Sequence, residues 1–253
     1  MEVTGECQEM IQLSVNHLTK SFDTNQVLDN LSFHVNEGEF VSILGPSGSG
    51  KSTIFNLIGG MLLPDEGSIT LGNVKINGKR GSISYMPQTP SLMPWRTILQ
   101  NVLLGQELMG KTDSEAARKM LQKAGLGGYE NAYPHELSGG MKQRAAFIRA
   151  LLSPQPIILL DEPFSALDEL TRHDMQKWLL DIWNEHKPTI LFVTHNIEEA
   201  IYLSDRILVL SSKPAKVIKE YKVPFNRPRM EELYLNENFL ACKRSIHHAL
   251  KNH

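Results

Sequence analysis

Two short runs, Ile157-Ile158-Leu159-Leu160 and Ile190-Leu191-Phe192-Val193, are apolar at every position. A strand with one wet face alternates apolar and polar side chains, because successive Cβ atoms point to opposite sides of the sheet. Runs without that alternation fit strands covered on both faces, as in the middle of a parallel sheet. A third β-rich run, EFVSILG from Glu39 to Gly45, leads into a cluster of glycines and then a helical run from Lys51 to about Met61. A helix from roughly Asp168 to His186 separates the two apolar runs. Strands alternating with helices imply βαβ units, so the expected class is α/β with a parallel sheet.

The flanking segments carry other periods. Residues 11–35 alternate apolar and polar side chains, with a turn at Asp23 to Asn25, which predicts an N-terminal antiparallel β subdomain. Residues 66–85 read as short strands and turns. Apolar residues recur at helical spacing in TILQNVLLGQEL and SEAARKMLQKAGL, so 97–150 reads as mostly helical, a subdomain inserted into the core. Phe239, Cys242, Ile246 and Leu250 fall near one helical face of the tail, which predicts a packing helix. These readings divide one domain, 1–253, into a core at about 10–88 and 151–228, a helical subdomain at about 89–150 and a C-terminal packing helix at 229–253.

Composition narrows the function classes. With 253 residues, 41% of them hydrophobic, the chain can bury a sizeable core. Lys plus Arg total 26 against 28 for Asp plus Glu, a net charge of -2, which disfavours a basic nucleic-acid binder. Cys7 and Cys242 are too few for a disulfide framework or a cysteine-rich metal site and fit a reducing compartment. The N-terminus MEVTGECQEM lacks a basic segment followed by an apolar one, so no signal peptide is expected. No apolar run reaches the about 18 residues that a membrane-spanning helix needs.

The chemistry concentrates first in Gly45-Pro46-Ser47-Gly48-Ser49-Gly50-Lys51-Ser52-Thr53. The segment fits G-x-x-x-x-G-K-[ST], after a predicted strand and at the start of a predicted helix, the context that makes the motif meaningful. Glycines let the backbone curl until successive N–H groups point at phosphate oxygens, and the helix N-terminus adds free donors and partial positive charge. Lys51 is expected to reach the β- and γ-phosphates, and the Ser52 hydroxyl to ligate Mg²⁺. An acid at the end of another core strand should complete the site, and Asp161-Glu162 supplies it. Adjacent carboxylates favour a cation between them. Asp161 is therefore assigned to Mg²⁺ through water, and Glu162 to the attacking water. Together these motifs predict a P-loop NTPase (RecA-like) core.

A second anion site lies at Ser138-Gly139-Gly140, where two glycines and a hydroxyl open the helix AAFIRALL. In its full form, Leu137-Ser138-Gly139-Gly140-Met141-Lys142-Gln143-Arg144, this stretch resembles the signature motif of ATP-binding cassette (ABC) ATPases. The family's other motifs follow in order: an upstream aromatic, Phe22; a glutamine loop, Tyr85-Met86-Pro87-Gln88; a D-loop, Ser165-Ala166-Leu167-Asp168; and a switch-histidine strand, Phe192-Val193-Thr194-His195. The resemblance covers about residues 10–228.

That resemblance implies roles which the residues alone leave open. Phe22 would stack on adenine with its π face. Gln88 would sense the metal and water, His195 would contact the γ-phosphate and water, and Asp168 would join the nucleotide site. Ser138-Gly139-Gly140 would complete the site of an opposite subunit, so that two ATP molecules sit between the halves of a head-to-tail homodimer. The implied cofactors are ATP and Mg²⁺. The implied partners are integral membrane permease subunits and an extracytoplasmic substrate-binding protein, with this chain on the cytoplasmic face of the membrane and no nucleic acid.

A transporter subunit is the expected kind. The helical insert has no long heptad run, unlike chromosome-maintenance relatives. Only one cassette is present, and the about 58 residues after His195 are short for an added regulatory β-barrel. Ser91-Leu92-Met93-Pro94-Trp95-Arg96-Thr97-Ile98-Leu99-Gln100-Asn101-Val102 resembles a stretch of the nitrate, sulfonate and taurine importer ATPases, a branch that includes importers of thiamine precursors. Pro90, Leu92, Met93, Pro94 and Trp95 form an apolar loop expected to be exposed, as a surface for a permease helix. The alternative is a soluble cassette ATPase acting on nucleic acid or as a regulatory module. A long basic stripe would favour the first, and loss of Glu162 or His195 the second.

Overall fold

The computed structural model describes residues 10–165 and 167–252. Cys7, the N-terminal segment and Ala166 of the D-loop lie outside the described residues. The chain opens with β1 (Ile11–Phe22), β2 (Asn25–Asn36) and β3 (Phe40–Leu44), then α1 (Lys51–Ile58), β4 (Glu66–Leu71), β5 (Val74–Lys75) and β6 (Ser84–Met86). The helices α2 (Ile98–Val102), α3 (Leu104–Leu108), α4 (Ser114–Lys123) and α5 (Gly139–Leu151) follow. The chain then alternates through β7 (Ile157–Asp161), α6 (Glu169–His186), β8 (Thr189–Thr194), α7 (Ile197–Leu203), β9 (Arg206–Leu210) and β10 (Val217–Lys222) to α8 (Glu237–Lys251).

Among the described residues, ten strands form two sheets. β1, β2, β4 and β5 make an antiparallel sheet in the order β2-β1-β4-β5, and the other six run β10-β9-β3-β8-β7-β6. Within the second sheet β9, β3, β8, β7 and β6 are mutually parallel, and β10 joins the edge antiparallel. The unbroken apolar runs are its central strands: every residue of β3, β7 and β8 is buried. One face, with Val41, Ile43, Leu159 and Val193, packs on α1 and the antiparallel sheet. The opposite face, with Phe40, Ile158, Leu160 and Phe192, packs on α5 and α6 through Phe147, Met175, Leu179 and Trp183. Phe192 lies 5.9 Å from the rings of both Phe40 and Phe164, so truncating it to Ala should cost about 3–5 kcal/mol.

The helical region has a core of its own, with Ile98, Val102, Leu121, Leu126 and Ile148 buried together. α5 belongs to both cores: Ala145 and Ile148 face the helical cluster, while Ala146, Phe147 and Ala150 face the sheet. Near the C-terminus, Phe239 and Ile246 of α8 are buried against α7 and β9, and Cys242 and Leu250 pack partly against the same cluster. Two boundaries differ from the sequence reading. α1 stops at Ile58, where Gly59 and the left-handed Gly60 (φ 71°) turn the chain. The tail begins with a 3₁₀ turn, Glu231–Leu235, before Asn236 caps α8.

The register fixes where the chemistry can gather. Leu44 pairs with Thr194, and Asp161 with Val193, so the carboxyl ends of β3, β8 and β7 lie side by side. Ligands of open α/β sheets bind at that edge.

Candidate functional site

The phosphate loop leaves the end of β3 and enters α1. Gly50 caps the helix in a left-handed conformation, φ 100°, and among the described residues no side chain caps it. A Cβ on Gly50 would meet Val27 Cγ1 at 2.9 Å, so both space and backbone demand glycine there. The first N–H groups of α1 therefore stay available for an anion. Lys51 is buried and donates from Nζ to the carbonyls of Gly45 and Pro46, both at 2.9 Å, which folds it across the loop. Burial lowers its pKa, opposed by the charges of Glu162 and Asp161. Ser52 is exposed at the first turn, while the buried Ser49 hydroxyl has no hydrogen-bond partner among the described residues.

The acids stand at the end of β7. Asp161 is buried, and the Tyr85 hydroxyl donates to its Oδ2 at 3.1 Å. Burial raises its pKa; the Tyr85 bond and Lys51 pull it down, while the Glu162 charge pushes it up. Glu162 takes a left-handed backbone, φ 43°, and its N–H donates to Val193 O at 2.9 Å. Such a conformation costs a non-glycine residue on the order of 1–3 kcal/mol and persists where surroundings fix it. Its Oε2 lies 3.2 Å from Nδ1 of His195, the first residue past β8. Gln88 joins this group from the chain after β6: its Nε2 donates to Ser165 Oγ at 3.1 Å, and that hydroxyl donates to Glu162 O at 2.9 Å.

The structure thus brings Lys51, Gln88, Asp161, Glu162 and His195 to one edge of the parallel sheet. Phe22 ends β1, is 43% exposed, and has Lys20 Nζ 5.5 Å from its ring centroid. Asp168 caps α6 by accepting from Thr171 N–H at 3.0 Å, and those hydrogen bonds hold its carboxyl below the usual range. Ser138 caps α5 through Met141 N–H at 3.3 Å. Ser138 and Gly139 are exposed, and beyond its chain neighbours and the helix's own backbone a Cβ on Gly139 would meet no described atom within 4 Å. Among the described residues no hydrogen bond connects this turn to Lys51, Asp161, Glu162 or His195.

Several supporting residues escape the sequence reading of the site. Tyr85 is one. Gln143, in the signature stretch, is buried and donates to Pro163 O, tying α5 to the turn after Glu162. Arg149, also on α5, donates to Pro90 O at 2.9 Å and Ser91 O at 2.8 Å. The loop from Pro90 is only partly the exposed apolar surface that its composition suggests. Trp95 is 71% exposed, but Leu92 is half-buried and packs against the core. Met93 N–H donates to Asn101 Oδ1 at 2.7 Å, and the buried Asn101 amide donates back to Met93, Arg96 and Thr97 carbonyls. A polar residue inside a helical apolar pattern was the available signal for Asn101.

Comparison with known proteins gives the family. Residues 28–165 match the ABC transporter family. A formylaminopyrimidine import ATP-binding protein of Halalkalibacterium halodurans is 47% identical over 204 residues, 79% of this chain and 80% of that protein. An aliphatic sulfonates import ATP-binding protein of Bacillus cereus is 41% identical over 228 residues, 88% of this chain and 91% of that protein. A dimeric ATP-binding cassette in a post-hydrolysis state, bound to ADP and Pi, superposes with a TM-score of 0.71 at 33% identity. That likeness covers 85% of this chain and 100% of the cassette.

Proposed function

The chain belongs to the ABC transporter family and is an ATP hydrolase of that kind, and we propose that it powers an importer as a head-to-tail homodimer beneath a separate membrane permease. The observation that carries the reading is the Glu162–His195 contact of 3.2 Å, beside the Lys51 loop at the ends of three adjacent strands. Hydrolysis of a phosphoanhydride needs a positioned water and stabilisation of spread negative charge. Glu162 orients the water and takes its proton. His195, against the same carboxylate, keeps the water and the γ-phosphate in register. Lys51 and the open N–H groups of α1 neutralise the phosphate oxygens.

The donor set suits Mg²⁺. An exposed Ser52 hydroxyl, the buried Asp161 carboxylate and the Gln88 amide are hard oxygen donors of the type this ion takes. A carboxylate buried at a cost in free energy, next to a second acid, is where a cation relieves charge. When bound, the ion would supply charge neutralisation at the transferring phosphoryl group.

The same proposal extends to the partners. The largely exposed Ser138-Gly139-Gly140 turn, unlinked to the Lys51 group, fits a second phosphate contact for the opposite subunit's nucleotide. Phe22 stacks on adenine, and Asp168 reaches the interface in the closed dimer. The core at about 10–88 and 151–228 holds the nucleotide, the helical part at about 89–150 carries the signature turn, and α8 packs against the core through Phe239 and Ile246. No helix among the described residues is long and apolar enough to cross a membrane. Attachment at the cytoplasmic face would come through permease subunits, with an extracytoplasmic binding protein delivering substrate. The aliphatic sulfonates and formylaminopyrimidine import ATP-binding proteins among the relatives support an importer of the nitrate/sulfonate/taurine or thiamine-precursor type.

Two variants test the site. Lys51→Ala should lose ATP binding and turnover, and hydrolysis at the wild-type rate would overturn the assignment. Glu162→Gln should slow hydrolysis by about 10²–10⁴-fold while still binding ATP. It should also elute as a dimer with ATP and Mg²⁺. Purification of the tagged chain from membranes should bring down hydrophobic permease subunits; copurifying nucleic acid instead would count against the transporter role.

A further inference from the structure

His195 is 61% exposed at its side chain, so little packing fixes it. Its ring meets Glu162, and its place is otherwise set by the turn that carries it. That turn is tied down on the inside. Thr194, almost fully buried, donates from Oγ1 to Glu199 Oε2 at 2.6 Å and accepts from Asn196 N–H at 3.0 Å. Asn196 caps α7 by accepting from the N–H groups of Glu198 and Glu199. Glu199 itself is only 6% exposed.

A buried carboxylate needs a counter-charge. Arg172 on α6 provides it, with Nε 3.8 Å from Glu199 Oε1. The same guanidinium holds the loop that follows Glu162: Nη2 donates to Leu167 O at 2.9 Å and Nε to Phe164 O at 3.4 Å. A guanidinium holds its five donors in a rigid planar fork, so one side chain faces two carbonyls and a carboxylate in fixed directions. Glu162, His195, Arg172 and Glu199 all line one cavity of about 40 Å³. The Glu162 side and the His195 side of the site therefore meet behind the reacting groups.

We infer that Arg172 and Glu199 are positioning residues for hydrolysis: through Thr194, the pair joins the turn carrying His195 to the loop following Glu162 and so sets their spacing. The inference rests on the reading that Glu162 and His195 act on the attacking water. Displacing a reacting group by about 1 Å can cost on the order of 10²-fold in rate. Arg172→Gln and Glu199→Gln should each lower kcat about 10- to 100-fold with the KM for ATP within about twofold, because neither side chain belongs to the phosphate loop. The double variant should cost no more than the worse single one, since both break one link.

Steady-state ATP hydrolysis, equilibrium ATP binding and thermal unfolding of the full chain test this, with Glu162→Gln measured alongside. If Glu162→Gln hydrolyses at the wild-type rate, the underlying site assignment fails. If it is slow while Arg172→Gln and Glu199→Gln keep the wild-type kcat, the positioning role alone is overturned. Additive losses in the double variant, or a rise in KM equal to the fall in kcat, would also overturn it. If either single variant fails to fold, Thr194→Val and Thr194→Ser decide. A slow Val variant rescued by Ser, at equal ATP affinity, supports the link, and equal kcat values overturn it.

Discussion

Tyr85 donates its hydroxyl to Oδ2 of Asp161 at 3.1 Å, so the acid assigned to Mg²⁺ is held by a neighbour on the next strand. The bond pulls the Asp161 pKa down against the rise that burial causes. Partners that orient a metal-binding group typically affect metal affinity by about 10–100-fold when removed. Tyr85→Phe should therefore raise the Mg²⁺ concentration for half-maximal hydrolysis by about 10-fold. The edge-on contact with Phe55, 6.1 Å between centroids, should survive and keep the fold. Titrating Mg²⁺ at saturating ATP reads the shift.

Asp161 also predicts a pH dependence of stability. Its folded pKa lies above the ordinary aspartate value, mainly through burial. The folded state therefore keeps the proton where the unfolded chain has released it. That contribution is complete below the unfolded value of about 3.9 and is lost as pH rises through the folded value. Without nucleotide or metal, Asp161→Asn should be more stable than wild type at pH 7 by about 1 kcal/mol, a rise of roughly 2–4 °C in the melting temperature. The gap should shrink as pH falls towards about 4. Thermal scans in a chelator across that range check both the sign and the trend.

Gly139 isolates the dimer step. Its place at the start of α5 is open: beyond its chain neighbours and the helix's own backbone, no described atom lies within 4 Å of where a Cβ would stand, and its φ is not left-handed. Gly139→Ala should fold normally and bind ATP like wild type, with stability changed by less than about 0.5 kcal/mol. On the proposed reading of this turn as the second phosphate contact, crowding it should cut turnover at least about 10-fold. ATP binding by fluorescence, set beside hydrolysis, separates the two effects.

Trp95 tests the output. At 71% exposure its ring contributes little to the core, so Trp95→Ala should leave the melting temperature and basal hydrolysis near wild type. Aromatic anchors at interfaces often cost at least about 2 kcal/mol on truncation, so capture of the proposed permease partner should weaken about 30-fold. Pull-down and ATP turnover in one preparation give the comparison. Loss of folding would place Trp95 in the core.

Much of this site is legible in the sequence because its parts are contiguous. The Gly45–Thr53 loop, the Asp161-Glu162 pair and the strand leading to His195 are local patterns whose chemistry can be read residue by residue. The parallel sheet is legible for the same reason, since burial on both faces writes itself as Ile157–Leu160 and Ile190–Val193. The supports are different. Tyr85 and Asp161 lie 76 positions apart, and Gln88 and Ser165 lie 77 apart. Nothing in a run of residues states that the two strands will be neighbours. Arg149 reads as one more charge on a helix, although burial lowers its pKa and it holds two backbone carbonyls. Leu92 shows the converse: an apolar residue in a loop can pack back against the core, and only the fold decides it.

α5 contributes side chains to two apolar clusters, one under the sheet and one among the helices. Its far end is clamped to the loop at Pro90 and Ser91, and Gln143 fixes its middle to the turn after Glu162. The helical region therefore cannot melt while the sheet stays intact, because melting it would strip half the cover from a helix the sheet still needs. Calorimetry should record one heat-absorption peak rather than two, and amide protons on both sides of α5 should exchange with solvent at a common, slow limiting rate.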